Sequence, residues 1–145
     1  TYIAQNAFRS CTSLTSARFP NLTSTHNTGY FFYDDSNLTL VDYGKNTRVQ
    51  GNVFTNCSKL TTLILRKADS LVTCVNTSVF NGTPFKSGGT GGTIYIPKVL
   101  YDELGTGSSL DYKAATNWST YDGYGTITWA QLEGSPYEQP DFVLS

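Results

Sequence analysis

The chain has 145 residues and a net charge of -1, from ten Lys and Arg against eleven Asp and Glu. The charges are scattered and not blocked, so nucleic acid and anionic membrane surfaces are excluded as expected partners. No apolar run approaches the roughly 20 residues of a membrane span and no secretory-leader pattern opens the chain, so a single domain without membrane insertion is expected.

The chain opens on a repeat. Ile3, Asn6-Ala7-Phe8, Cys11, Leu14, Ala17 and Phe19 mark one copy, and the pattern returns 46 residues later as Val49, Asn52-Val53-Phe54, Cys57, Leu60, Leu63 and Leu65. A degenerate copy between them supplies Phe32, Leu38, Val41 and Tyr43, each 24 residues after its partner in the first. A fragmentary fourth contributes Cys74, Phe80 and, after an insertion, Ile94 and Ile96. A period of about 23 residues with an L-x-x-L-x-L core is the pattern of a leucine-rich solenoid, whose units bury their apolar edges only by stacking on one another. Thr1 enters two residues before the anchor Ile3 and the chain has no Met, so a fragment or processed chain is expected, with further repeats or a polar cap upstream.

Each copy is predicted to carry its Phe anchor on a turn or short helical segment and then to enter a strand. The strands fall over Thr15 to Phe19, Thr39 to Tyr43 and Thr61 to Leu65. Alternation points Ala17 and Phe19, Val41 and Tyr43, and Leu63 and Leu65 inward, with Leu14, Leu38 and Leu60 just ahead of them. Ser16 and Arg18, Leu40 and Asp42, and Thr62 and Ile64 are then expected to face outward, with Arg66 just beyond. The run Ser87 to Thr93 is rich in glycine, but no Gly-Lys-Ser/Thr follows and no helix opens behind it, so it reads as a flexible insertion and not as a phosphate cradle. Thr93 to Ile96 is the next strand, with Tyr95 outward, and Pro97 ends it.

Beyond Pro97 the texture changes. A short helix is expected over Lys98 to Leu104. Ser109 is expected to cap a second helix that places Leu110, Ala114, Trp118 and Tyr121 on one face, closing the end of the stack. Gly125 to Trp129 reads as one more strand, and the Pro136 and Pro140 region as an extended tail without recognisable chemistry. The division is therefore a solenoid over 1–97 and a cap and tail over 98–145, an α/β fold of short parallel strands, one per repeat, closed by a small C-terminal helical cap.

The unit N-A-F-x-x-C-x-x-L-x-x-A-x-F-P-N at Asn6 to Asn21, echoed at Asn52 to Leu65, resembles the BspA-like (Treponema pallidum type) leucine-rich repeat. The resemblance covers roughly residues 1–85; the second copy departs from it with Asp35 in place of Cys, and the fourth is irregular. G-T-I-Y-I-P at Gly92 to Pro97 and the Tyr112 to Tyr121 segment look like the closing part found after such repeats in gut Firmicutes and their phages. The resemblance implies a non-enzymatic recognition or adhesion module on a cell or virion surface, outside the cell. Its partner would be a protein or glycan on a host or neighbouring cell. The family has no shared catalytic motif to carry over, and no cofactor is expected.

The candidate chemistry agrees with that reading. His26 is the single histidine and lies in a polar turn, with no Gly-x-Ser-x-Gly anywhere for a triad. Cys11, Cys57 and Cys74 lack metal-ligand spacing, and Cys11 and Cys57, two stacked units apart, would lie beyond bridging distance, so they read as small buried hydrophobes. The adjacent pairs Asp34-Asp35 and Asp102-Glu103 do not converge unless a loop folds them together. Six N-x-S/T sequons start at Asn21, Asn37, Asn56, Asn76, Asn81 and Asn117, and chance in a Thr-rich chain accounts for them.

The positive signal is the outward row. If strands stack in register, Arg18, Asp42, Ile64 and Tyr95 form one ladder and Ser16, Leu40, Thr62 and Thr93 another. Apolar groups gathered there mark a binding patch. Arg18, Leu40, Asp42, Thr62, Ile64, Arg66 and Tyr95 are therefore the candidate ligand-binding residues. Two alternatives stand beside this: Arg18 and Asp42 form a mere cross-strand pair while the cap covers Ile64 and Tyr95, or the stack self-associates as a structural part of a virion or surface layer.

Overall fold

The computed structural model describes residues 2–3, 6–25 and 30–139. His26 lies outside these. The elements in chain order are β1 (Tyr2–Ile3), β2 (Ser16–Arg18), β3 (Ser24–Thr25), β4 (Leu40–Asp42), β5 (Arg48–Val49), β6 (Thr62–Ile64), β7 (Thr73–Cys74), β8 (Gly92–Ile96), α1 (Lys98–Tyr101), α2 (Trp118–Gly123) and β9 (Ile127–Gln131). Five strands form one parallel sheet in the order β2-β4-β6-β8-β9, while β1 pairs with β3 and β5 with β7, also in parallel.

Parallel strands cannot be joined by hairpins, so each must be reached by a crossover, and here the crossover is the rest of the coil. Its path is set by a short run of backbone bonds that repeats in every copy. The residue three after each Phe donates its N–H to the Phe carbonyl: Cys11 to Phe8, Asp35 to Phe32, Cys57 to Phe54 and Thr83 to Phe80. In the first three coils the next Leu then bonds back to that residue: Leu14 to Cys11, Leu38 to Asp35 and Leu60 to Cys57. These are tight i to i+3 turns, so the turn alternative for the Phe-bearing segment is the one adopted.

Two residues after each Phe the backbone is left-handed, at Ser10 (φ 58°), Asp34 (φ 62°), Asn56 (φ 65°) and Gly82 (φ 72°). Asp, Asn and Gly tolerate that region best among coded residues. At Gly82 a Cβ would fall 2.4 Å from Asn56 Oδ1, so a larger residue there would displace that side chain.

Stacking then follows from the side chains. The rings of Phe8, Phe32, Phe54 and Phe80 form one column, with centroids 5.7, 6.0 and 5.6 Å apart and planes within 9° of parallel. Between the turns, N–H groups bridge coil to coil: Ser10 to the Tyr33 carbonyl, Asp34 to Thr55 and Asn56 to Asn81. Leu38, Val41, Tyr43, Leu60, Leu63, Leu65, Ile94 and Ile96 are fully buried, as the alternation requires. Cys57 and Cys74 are buried free thiols; Cys11, in the first coil, is exposed, contrary to the expectation of a buried slot.

In the second coil the slot that holds Cys11 and Cys57 elsewhere holds Asp35, which has no solvent exposure. Its Oδ1 accepts the Cys11 N–H at 2.6 Å, and its Oδ2 is buried with no hydrogen-bond partner among the described residues. Burial pushes this carboxyl up to about 6 against the pull of the Cys11 N–H, and the neighbouring Asp34 charge adds to the rise. Burial likewise pushes the Cys57 thiol up to about 12, helped by the Asp35 charge.

The segment after Pro97 departs from the expected helices. The first is confined to Lys98–Tyr101. The second does not start at Ser109: residues 108–117 are turns closed by Ser108 Oγ on the Leu110 N–H and by Asp111 on the N–H groups of Gly107 and Lys113. Asn117, with φ 66°, separates them from Trp118–Gly123. Side-chain bonds to the local backbone outcompete helix formation here. Ala114 is consequently exposed and Tyr112 buried in its stead. Tyr121 meets Phe80 edge-on at 5.0 Å, its hydroxyl donating to the Thr77 carbonyl, and Trp118 Nε1 donates to the Val72 carbonyl at 2.7 Å. The last strand runs two residues further than expected, over Ile127–Gln131, and pairs with β8 along its whole length.

Two outcomes follow. Phe54→Ala should cost about 3–5 kcal/mol by urea unfolding, and Phe8→Ala clearly less because its ring is only half-buried; equal losses would contradict a continuous column. Because the folded Asp35 favours its neutral form, its contribution to stability is complete below the unfolded value near 3.8 and is lost as pH rises through about 6. Asp35→Asn should therefore raise the unfolding free energy at pH 7 by on the order of 1 kcal/mol, seen as a higher thermal midpoint, and flatten the decline between about pH 4 and pH 7; an unchanged slope would contradict this.

Candidate binding face

The register of the sheet brings the outward positions together. Arg18 pairs with Asp42, Asp42 with Ile64, Ile64 with Tyr95 and Tyr95 with Ala130. The second ladder is Ser16, Leu40, Thr62, Thr93 and Thr128. Both ladders have the composition expected from the spacing, extended by one strand.

Their exposure differs from expectation. Leu40, Thr62, Arg18 and Tyr95 are half-buried, whereas Asp42, Ile64 and Arg66 are buried, although all three were expected at the solvent side. Ile64 is not part of the main apolar core. The cover comes from the chain itself. After β9 the backbone turns, Leu132 N–H bonding the Ile96 carbonyl and Glu138 N–H the Ser135 carbonyl, and residues 135–138 cross the C-terminal ends of the strands.

Arg66 organises this crossing. Its Nε and Nη2 grip both Asp42 oxygens at 2.8–3.1 Å, while Nη1 donates to the Glu138 carbonyl at 3.0 Å and Nη2 to the Tyr137 carbonyl at 2.7 Å. A planar guanidinium with five donors can serve a carboxylate and two carbonyls at once, which an ammonium cannot do with the same geometry. Arg18 approaches Asp42 from the other side at 3.5 Å, so the buried carboxylate lies between two cations. The Tyr137 ring meets Tyr95 edge-on at 5.0 Å and lies 5.8 Å from the Arg18 guanidinium.

The Arg18–Asp42 cross-strand pair and the covering of Tyr95 are thus present, as the alternative reading of the row had it, but the cover is the tail and not a helix. Sequence reasoning missed Tyr137 and Glu138. They carry no periodic signal, and their partner Arg66 lies 71 and 72 residues away.

No other part of the described surface gathers reactive groups. Among the described residues no three His, Cys, Asp or Glu side chains cluster as metal ligands. Asp34 accepts from Asn56 Nδ2 at 2.8 Å, Asp102 is paired with Lys98 at 2.7 Å, and Glu103 accepts from Thr106 and Ser108, so these carboxylates are occupied locally.

The family model described as BspA type Leucine rich repeat region (6 copies) matches residues 1–97. The chain belongs to the BspA-type leucine-rich repeat family. No curated protein and no solved structure matches it. The match ends at Pro97, where the periodic Leu and Phe pattern also stops. BspA-type repeats are generally binding modules and not catalysts, are often used for adhesion, and are typically surface-associated. Among the described residues no helix is long and apolar enough to cross a membrane.

Truncating Arg66 leaves Asp42 buried with one cation at 3.5 Å. Arg66→Ala should destabilise the BspA-type domain by about 3 kcal/mol, and Arg66→Lys by less. Chemical denaturation checks both; equal and negligible losses would show that the clamp contributes nothing.

Proposed function

We propose that this BspA-type domain is a non-enzymatic recognition module displayed on a cell or virion surface, contacting a protein or glycan through the outer face of its parallel sheet. The observation that carries the reading is the open second ladder. Leu40 sits between Ser16 and Thr62 on the sheet, an apolar group rimmed by hydroxyls, with Arg18 on the neighbouring strand. Such a surface suits a partner that brings its own apolar group and hydrogen-bonding rim. The proposed contact set is Arg18, Leu40, Thr62 and Tyr95, with Asp42, Ile64 and Arg66 buried beneath them as support. Residues 98–139 act as the closing end of the stack.

A second reading is a structural or receptor-binding component of a virion or surface layer that self-associates. It is favoured by Leu40, a half-buried apolar group on the open ladder, which a second copy of the domain could equally cover. Trp118 and Trp129 are buried inside the molecule and offer no such surface.

The two readings separate in one experiment. The labelled domain is applied to arrays of immobilised glycans and extracellular proteins while light scattering follows its mass. Recognition predicts a monomer whose array signal disappears in Leu40→Ser/Thr62→Asn, neutral changes chosen so that the paired strands stay folded. Ile64 is unsuitable for this test, because a polar side chain at a buried site would destabilise the domain. A concentration-dependent oligomer with no array signal favours the second reading, and a double variant that binds as the parent does removes the strand face from consideration.

A further inference from the structure

We propose that the C-terminal rim of the strand face is a site for a peptide turn bearing an aromatic side chain, and that residues 135–138 of this chain fill it in cis until a partner segment of the same chemistry displaces them. The proposal rests on the reading of the sheet as a recognition surface and adds the class of partner.

The contacts divide into two kinds. Arg66 addresses only main-chain atoms of the covering segment, the carbonyls of Tyr137 and Glu138. The two successive carbonyls converge on one guanidinium because the segment is a turn, so this contact selects a turn of backbone and not a sequence. The Tyr137 ring, held against Tyr95 at 5.0 Å and near Arg18, is the one side chain of the segment with a ring contact to the sheet. That position selects an aromatic group. Arg66 does not depend on its guest for orientation, because Asp42 fixes it through three hydrogen bonds at a site with no solvent exposure. The receptor half is therefore preorganised.

The guest half is weakly held. The N–H groups of Tyr137 and Glu138 bond to Ser135 Oγ and the Ser135 carbonyl, so the segment closes on itself and adds no strand to the sheet. Pro136 and Glu138 are exposed and Tyr137 half-buried. A partly exposed segment whose own N–H groups bond within itself belongs to the parts of a fold that open first, and its tether alone supplies a high local concentration. A partner that supplies the same carbonyls and ring, and continues along Leu40, Thr62 and Thr93, has more surface to bury than the tail does.

The test uses the full chain and a synthetic capped peptide, Gly-Ser-Pro-Tyr-Glu-Gln, titrated to millimolar concentration and followed by amide NMR shifts. Tyr137→Ala should bind the peptide at least about tenfold more tightly than the unmodified chain, with shifts centred on Ile64 and Tyr95. The same peptide with Ala for Tyr should not bind, and adding Arg66→Lys should weaken the interaction. Equal binding by both chains, or no shifts in a folded Tyr137→Ala chain, overturns the proposal. Should that variant not fold, hydrogen exchange of the unmodified chain decides: amides of 132–138 must exchange faster than those of Val41 and Leu63, and equal protection overturns displacement. Shifts at Tyr95 with an oligosaccharide but not with the peptide overturn the peptide assignment while leaving the strand face as the recognition surface.

Discussion

Contact between successive coils is the constraint on which everything else here depends. A parallel strand three residues long has no partner within its own coil, and an isolated Phe on a tight turn has nothing to bury against. Both are satisfied only when the next coil arrives in register, and then together: the ladder pairs Ala17 with Val41 and Val41 with Leu63, while the same step sets Phe8 on Phe32 and Phe32 on Phe54. Backbone hydrogen bonding and apolar burial therefore share one translation, and a slip that harmed one would harm the other.

That translation explains why the solenoid could be read from the residues. Periodic spacing is a local property of the chain, and when every unit meets a near copy of itself, local pattern determines tertiary contact. The strands, their inward residues and the pairing of Arg18, Asp42, Ile64 and Tyr95 all follow from it. The parts that were not legible are those where the periodicity stops. At 108–117 Ser108 and Asp111 bond the backbone around them, and an amphipathic spacing of Leu110, Ala114 and Trp118 cannot reveal that competition. The crossing of the sheet by 135–138 depends on a guanidinium more than seventy positions earlier, a distance at which no spacing rule operates.

The candidate face was consequently half legible. Its membership is given by register, but its accessibility is set by a segment outside the repeats. Asp42 illustrates the difference: an acidic residue at an outward position is ordinarily solvated, yet here two arginines and the fold of the tail leave it with no exposure. A buried carboxylate of this kind adds little net stability but fixes geometry, since it holds the Arg66 guanidinium through three hydrogen bonds.

The left-handed position two residues after each Phe has a consequence for how such a molecule changes over generations. Since Ser10, Asp34, Asn56 and Gly82 all satisfy it, the coil tolerates several side chains at its tightest point while its hydrogen bonding stays the same. A gene encoding this stack can therefore lengthen or shorten by whole coils, through in-frame duplication or loss, without the junction having to be reinvented. The reach of the outer face along the solenoid axis becomes a quantity that selection can adjust separately from the chemistry displayed on it.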